Sequence, residues 1–121
     1  MTHPPSGKLV LVIEDDPDLS STLAEVLRAE GYRARTAPDG PTALAACDEE
    51  PPALALLDWS LPEGNAEGLA HELKDRGVRV IIASGCENTP ELGRRVEARA
   101  TLSKPYDARA LFRVIDQVLY S

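Results

Sequence analysis

Apolar positions fall in short runs, each cut off by charged, glycine-bearing or proline-bearing breaks. Residues 9–13 form a continuous, β-branched apolar run, as in a parallel strand buried on both faces. The run stops at Glu14-Asp15-Asp16-Pro17. Asp16 before Pro17 predicts a helix start, an N-cap followed by proline at the first helical position. That helix carries Leu19, Leu23, Val26 and Leu27 on one stripe and ends at Gly31. Residues 32–36 alternate in character and predict a short edge strand with Arg33 and Arg35 on one face. Asp39-Gly40-Pro41 opens a second helix, with Ala43, Leu44 and Cys47 inward and Pro51-Pro52 as its stop.

A third strand, 53–58, ends in Asp58, and a loop holding Pro62, Gly64 and Gly68 follows. A short third helix stops at Gly77. Strand 78–83 then leads into Ser84-Gly85. A brief helix over 90–97, weakened by Gly93, precedes a last strand at 99–103 that ends in Lys104-Pro105. Asp107 caps the final helix, whose stripe is Leu111, Val114, Ile115, Val118 and Leu119. Five strands alternating with five helices predict an α/β fold, a doubly wound parallel sheet with right-handed crossovers. Residues 1–7 read as a flexible tail and 8–121 as one domain, since 121 residues suffice for a single core.

Composition narrows the function. A net charge of −7, scattered basic residues and five aromatics argue against nucleic acid as a partner, which needs clustered cations and stacking surfaces. The longest apolar runs are strand-sized, so no membrane span is expected. Cys47 and Cys86 fit no metal or redox spacing. They read as core or half-buried thiols in a reducing, cytoplasmic setting.

The candidate chemistry lies at the strand ends. Glu14 and Asp15 close the first strand, Asp58 the third, Ser84 the fourth and Lys104 the fifth. In a sheet of order 2-1-3-4-5 these side chains converge beyond the carboxyl ends, where open α/β sheets bind ligands. Crowded carboxylates repel unless a cation sits among them. A hard ion such as Mg²⁺, which keeps waters and accepts phosphate oxygens, suits them. Asp58 alone would read as a loop cap; with these neighbours it can attack a phosphoryl group while Lys104 neutralises charge on its oxygens.

Val12-Ile13-Glu14-Asp15-Asp16-Pro17, Leu57-Asp58-Trp59-Ser60-Leu61-Pro62, Ala83-Ser84-Gly85 and Ser103-Lys104-Pro105-Tyr106 resemble the four signature stretches of response-regulator receiver domains of two-component signalling. The resemblance implies a flavodoxin-like (βα)5 fold. It implies Asp58 as phospho-acceptor and a metal facing Glu14, Asp15, Asp58 and the backbone carbonyl of Ser60. Ser84 takes the place of the switch hydroxyl, Lys104 holds a phosphoryl oxygen, and Lys104-Pro105 is cis. Asp16 is an N-cap first and a ligand second. The implied phosphodonor is a sensor histidine kinase or a phosphotransfer protein, with a downstream protein target and a monomer or phosphorylation-linked homodimer.

The chain departs from the family at three points. Thr101 stands where most receivers carry the Tyr or Phe of the switch, and Tyr106 reads as a packing residue. The 62–68 loop looks long and the third helix short. The reduced fourth helix resembles an atypical subgroup, which makes 86–98 the expected mobile output segment. Arg94, Arg95 and Arg99 could face a partner or simply solvent. A pseudo-receiver that only binds partners is the alternative function. An Asp-nucleophile, Mg²⁺-dependent phosphohydrolase is less favoured, because Ser60 stands where such enzymes carry a second Asp. A nucleotide or flavin site is disfavoured by the acids at 14–16. Turnover as an enzyme is not expected beyond slow self-catalysed phosphorylation and dephosphorylation.

Overall fold

Five strands alternate with five helices in the computed structural model, which describes residues 7–61 and 66–120. The elements are β1 (Leu9–Ile13), α1 (Pro17–Ala29), β2 (Arg33–Ala37), α2 (Gly40–Glu49), β3 (Leu54–Asp58), α3 (Ala66–Asp75), β4 (Arg79–Ser84), α4 (Thr89–Arg95), β5 (Ala100–Ser103) and α5 (Ala108–Tyr120). The strands form one parallel sheet, as the alternation predicted, and its order is β2-β1-β3-β4-β5, that of the fold the resemblance implied. The tail at 1–6, and Pro62 and Gly64 of the expected loop, lie outside the described residues.

Both faces of the sheet are covered, which is why β1, β3 and β4 are apolar without alternation. Leu11, Ile13, Ala55, Leu57, Val80 and Ile82 pack toward α2 and α3, together with Val96 after α4. Val10, Val12, Leu54, Leu56, Ile81 and Ala83 face the opposite way, toward Leu27 of α1 and Leu111, Ile115 and Val118 of α5. Each fully buried Leu, Ile or Val contributes about 1.5–3 kcal/mol relative to exposure. The central strands therefore fix the positions of their own ends.

Local signals start and stop the helices. Asp16 caps α1, accepting from the amides of Asp18 and Leu19. Asp39 caps α2 through Thr42 N–H, and Asp107 accepts from Ala110 N–H at 2.8 Å. Gly31 and Gly77 follow α1 and α3 with φ of 94° and 78°, a conformation that glycine adopts without a Cβ penalty. Arg33 and Arg35 share the exposed face of β2, where they pair with Glu50 and Glu49 after and at the end of α2.

Three sequence expectations need correction. The buried face of α1 is Ser20, Ala24 and Leu27, with Leu23 packed at its margin, whereas Leu19 is exposed; two small residues join the predicted stripe where the helix meets the sheet. On α2 it is Ala46, with Ala43 and Cys47, that is buried, and Leu44 only packs at the margin. Gly68 lies inside α3 and not in the preceding loop. Of the two thiols, Cys47 is buried and Cys86 is exposed.

Gly93 was expected to weaken α4. It is also buried where that helix meets β5, and a Cβ there would overlap Cγ2 of Thr101. The glycine is a close-approach residue.

Candidate functional site

Adjacent strands deliver the acidic groups to one place. The pairing of β1 with β3 sets Ile13 beside Leu57, so Glu14 and Asp58 are neighbours across the ladder. Carboxylate oxygens of Glu14, Asp15 and Asp58 all lie within 4.8 Å of one another. Glu14 and Asp58 are buried, and Asp15 is exposed. Asp16, one residue on, spends its carboxylate capping α1, as expected of an N-cap.

Lys104 reaches the same point from β5. Its Nζ lies 2.8 Å from Asp58 Oδ1. Ser60 donates to that same oxygen twice, through its backbone N–H at 3.0 Å and its hydroxyl at 2.8 Å. The sequence had marked Ser60 only for its carbonyl. The side-chain bond is not legible in the sequence, because a Ser two residues after an Asp is common in turns. Ser84, 2% exposed, ends β4 beside them, and its carbonyl accepts from Lys104 N–H at 2.8 Å. The Lys104-Pro105 peptide is cis.

The electrostatics are those of a crowded acid site. Burial raises the Glu14 carboxyl, and the neighbouring Asp58 raises it further, to about 7. Burial would raise Asp58 too. Hydrogen bonds from Glu14, Lys104 and Ser60 outweigh that and hold it down at about 2. The two carboxyls are pushed in opposite directions, Glu14 up and Asp58 down, the behaviour of two close carboxyls. Tyr106 closes the site from the α5 side. Burial, then the charges of Glu14 and Asp58, push its phenol up to about 12. With Glu14, Asp58 and Lys104 it lines a cavity of about 10 Å³, room for one water.

Tyr106 also walls a larger apolar groove of about 620 Å³, bounded by Leu19, Leu23, Val26 and Leu111. Of the switch candidates, Tyr106 borders the acid cluster, Ser84 adjoins it through its carbonyl on Lys104 N–H while its hydroxyl accepts from Cys86 N–H, and Thr101 lies on the β5 side, under α4.

Hard oxygen donors in this number suit a Mg²⁺ ion, which uses one or two carboxylates and retains waters. Burial of two like acids within 4.8 Å is a cost that such an ion would offset. Glu14, Asp15 and Asp58 fit the ion by type and by spacing.

Residues 10–116 match the family model of the response regulator receiver domain. The chain belongs to that family. It is 35% identical over 113 residues to the sensory transduction protein RegX3 of Mycobacterium tuberculosis, covering 91% of this chain and 50% of that one. It is 30% identical over 119 residues to the phosphate regulon transcriptional regulatory protein PhoB of Pseudomonas aeruginosa, covering 93% and 52%. The chain thus spans about half the length of these curated relatives. A CheY-like response regulator receiver domain protein from Methanospirillum hungatei superposes with a TM-score of 0.85 at 26% identity, over 94% of both chains.

Proposed function

We propose that Asp58 accepts a phosphoryl group from a histidine of a sensor kinase or phosphotransfer protein, and that the modified domain changes its grip on a downstream protein. The observation that carries this reading is the ion pair of Lys104 Nζ with Asp58 Oδ1 at 2.8 Å, set beside the Glu14–Asp15–Asp58 cluster. Three donors, from Lys104 and Ser60, already occupy Oδ1. Attack on phosphorus therefore falls to the other carboxylate oxygen. A P–O bond forms to Asp58 as the P–N bond to the donor histidine breaks. Lys104 stays within reach of the charge that builds on the phosphoryl oxygens.

Glu14 and Asp15 would hold Mg²⁺ together with Asp58 and the Ser60 carbonyl. When bound, the ion supplies positive charge to the phosphoryl oxygens. Glu14 must release its proton for that role. Ser84 then donates its hydroxyl to a phosphoryl oxygen. The domain works as a covalent switch with slow self-dephosphorylation and not as a turnover enzyme. A cytoplasmic setting accords with a kinase as donor, and among the described residues no helix is long and apolar enough to cross a membrane.

Intact mass after incubation with a small phosphodonor, with and without Mg²⁺, tests the reading. One phosphoryl group added only with Mg²⁺, and absent in Asp58→Asn, is the expected result. No adduct on the unsubstituted chain would leave a partner-binding pseudo-receiver instead.

A further inference from the structure

Ser84 is tied to α4 through a single intervening residue. Its hydroxyl accepts the Cys86 N–H at 3.0 Å. The Cys86 carbonyl in turn accepts from the Thr89 hydroxyl at 2.7 Å. Thr89 opens α4 and is fully buried, at 0% exposure. Its hydroxyl also lies 3.5 Å from the Ser84 carbonyl, the same carbonyl that holds Lys104 N–H. A hydroxyl has one proton, so Thr89 can serve only one of the two carbonyls well at a time. At present it serves Cys86.

Among the described residues no side-chain cap is seen at this end of α4. Asn88, at the N-cap position, makes no capping bond with its side chain. Further along, the helix rests on β5 where Gly93 meets Thr101. With Thr at position 101 there is no aromatic ring here to swing, as there is in most receivers. A signal leaving Ser84 therefore needs a different carrier, and the Cys86–Thr89 relay is connected to it at both ends.

We propose that Thr89 is a positioning residue that passes the state of the Ser84 hydroxyl into α4; this rests on the reading of Asp58 as phospho-acceptor. Once the Ser84 hydroxyl turns to a phosphoryl oxygen, the Cys86 amide loses its acceptor. The Cys86 peptide reorients, and the Thr89 hydroxyl turns to donate its hydrogen bond to the Ser84 carbonyl. The first turn of α4 follows its own side chain. The exposed Glu91, Arg94 and Arg95 of that helix are the surface that a partner would read.

The test compares the full chain with Thr89→Val, which keeps the shape and removes the hydroxyl, and Thr89→Ser, which keeps the hydroxyl. Each is loaded with Mg²⁺ and beryllium fluoride as a phosphoryl mimic, and amide shifts over residues 86–96 are followed by NMR. Intact mass after a small phosphodonor is measured in parallel. The expected result is an adduct on all three proteins, an α4 response in the unsubstituted chain and Thr89→Ser, and its loss in Thr89→Val. An α4 response in Thr89→Val as large as in the unsubstituted chain overturns the proposal alone. No adduct on the unsubstituted chain overturns the Asp58 reading and this one with it. Should Thr89→Val not fold, the Cys86 amide of the unsubstituted chain decides: it must shift and exchange faster on loading, and a fixed Cys86 amide overturns the relay.

Discussion

Gly93 lies against Thr101 so closely that a Cβ on the glycine would overlap the threonine methyl. Two departures from the usual receiver pattern are thus one structural fact. The glycine lets α4 lie low on β5, over the short side chain at 101, and the same contact excludes a Cβ at 93.

The first prediction follows from that contact. Gly93→Ala should destabilise the protein by about 1 kcal/mol net, as overpacking of about 1–3 kcal/mol outweighs a helix-propensity gain of about 1 kcal/mol. In a Thr101→Ala background the clash is gone and the same substitution should become stabilising. Urea denaturation of the four proteins of this cycle reads the change of sign.

The acid pair makes stability depend on pH in two windows. Glu14 is raised from 4.5 to about 7 by folding. The folded state therefore holds this proton more tightly, and the stability it gives is complete below pH 4.5 and lost as pH rises to about 7. Asp58 runs the other way. Lowered from 3.8 to about 2, it contributes stability above pH 3.8 that is lost as pH falls to about 2. Denaturation of the metal-free protein across pH should show both arms, and Glu14→Gln should remove the upper one.

Mg²⁺ binding should strengthen as pH rises through about 7, because Glu14 must give up its proton to become a ligand. Fluorescence of Trp59, next to Asp58 and half-buried, provides the titration. An affinity flat from pH 5.5 to 8.5 would contradict the Glu14 role (the interval brackets about 7).

Lys104→Met should raise the Asp58 carboxyl, since it deletes one of the hydrogen bonds that hold it down. Asp58 is buried, while Lys104 keeps partial access to water. The stability cost is accordingly about 1–3 kcal/mol, below the range for a wholly buried pair. NMR titration of the carboxyl carbon and urea denaturation measure the two effects separately.

On α1, Leu27→Ala should cost about 2–5 kcal/mol and Leu19→Ala about 0.5 kcal/mol or less. Leu27 is fully buried and Leu19 is 39% exposed. Thermal or urea midpoints of the two variants check the register of that helix.

The strands and their terminal residues were legible because a parallel strand buried on both faces is an unbroken apolar run, and a charged residue marks its end. Glu14, Asp58 and Lys104 could be aligned by that signal alone once the strand order was set. Helix faces were harder. Ser20 and Ala24 carry almost no hydrophobic signal, yet their small size lets α1 approach the sheet, while the larger Leu19 is left outside. Gly93 reads locally as a helix breaker; only its partner across β5 reveals a packing role. The double bond of Ser60 to Asp58 and the Thr89–Cys86 link depend on side-chain rotamers in turns, which spacing does not encode.

All the groups of the site hang from the carboxyl ends of their strands, while the turns at 30–32, 50–53, 76–78 and 96–99 lie at the opposite end of the sheet. That polarity divides the molecule into a chemical pole and an inert one. A fluorophore, affinity tag or tether attached at Glu30, exposed in one of these turns, would leave the acid cluster undisturbed. The domain can therefore be anchored to a surface by one end while kinase and target approach the other.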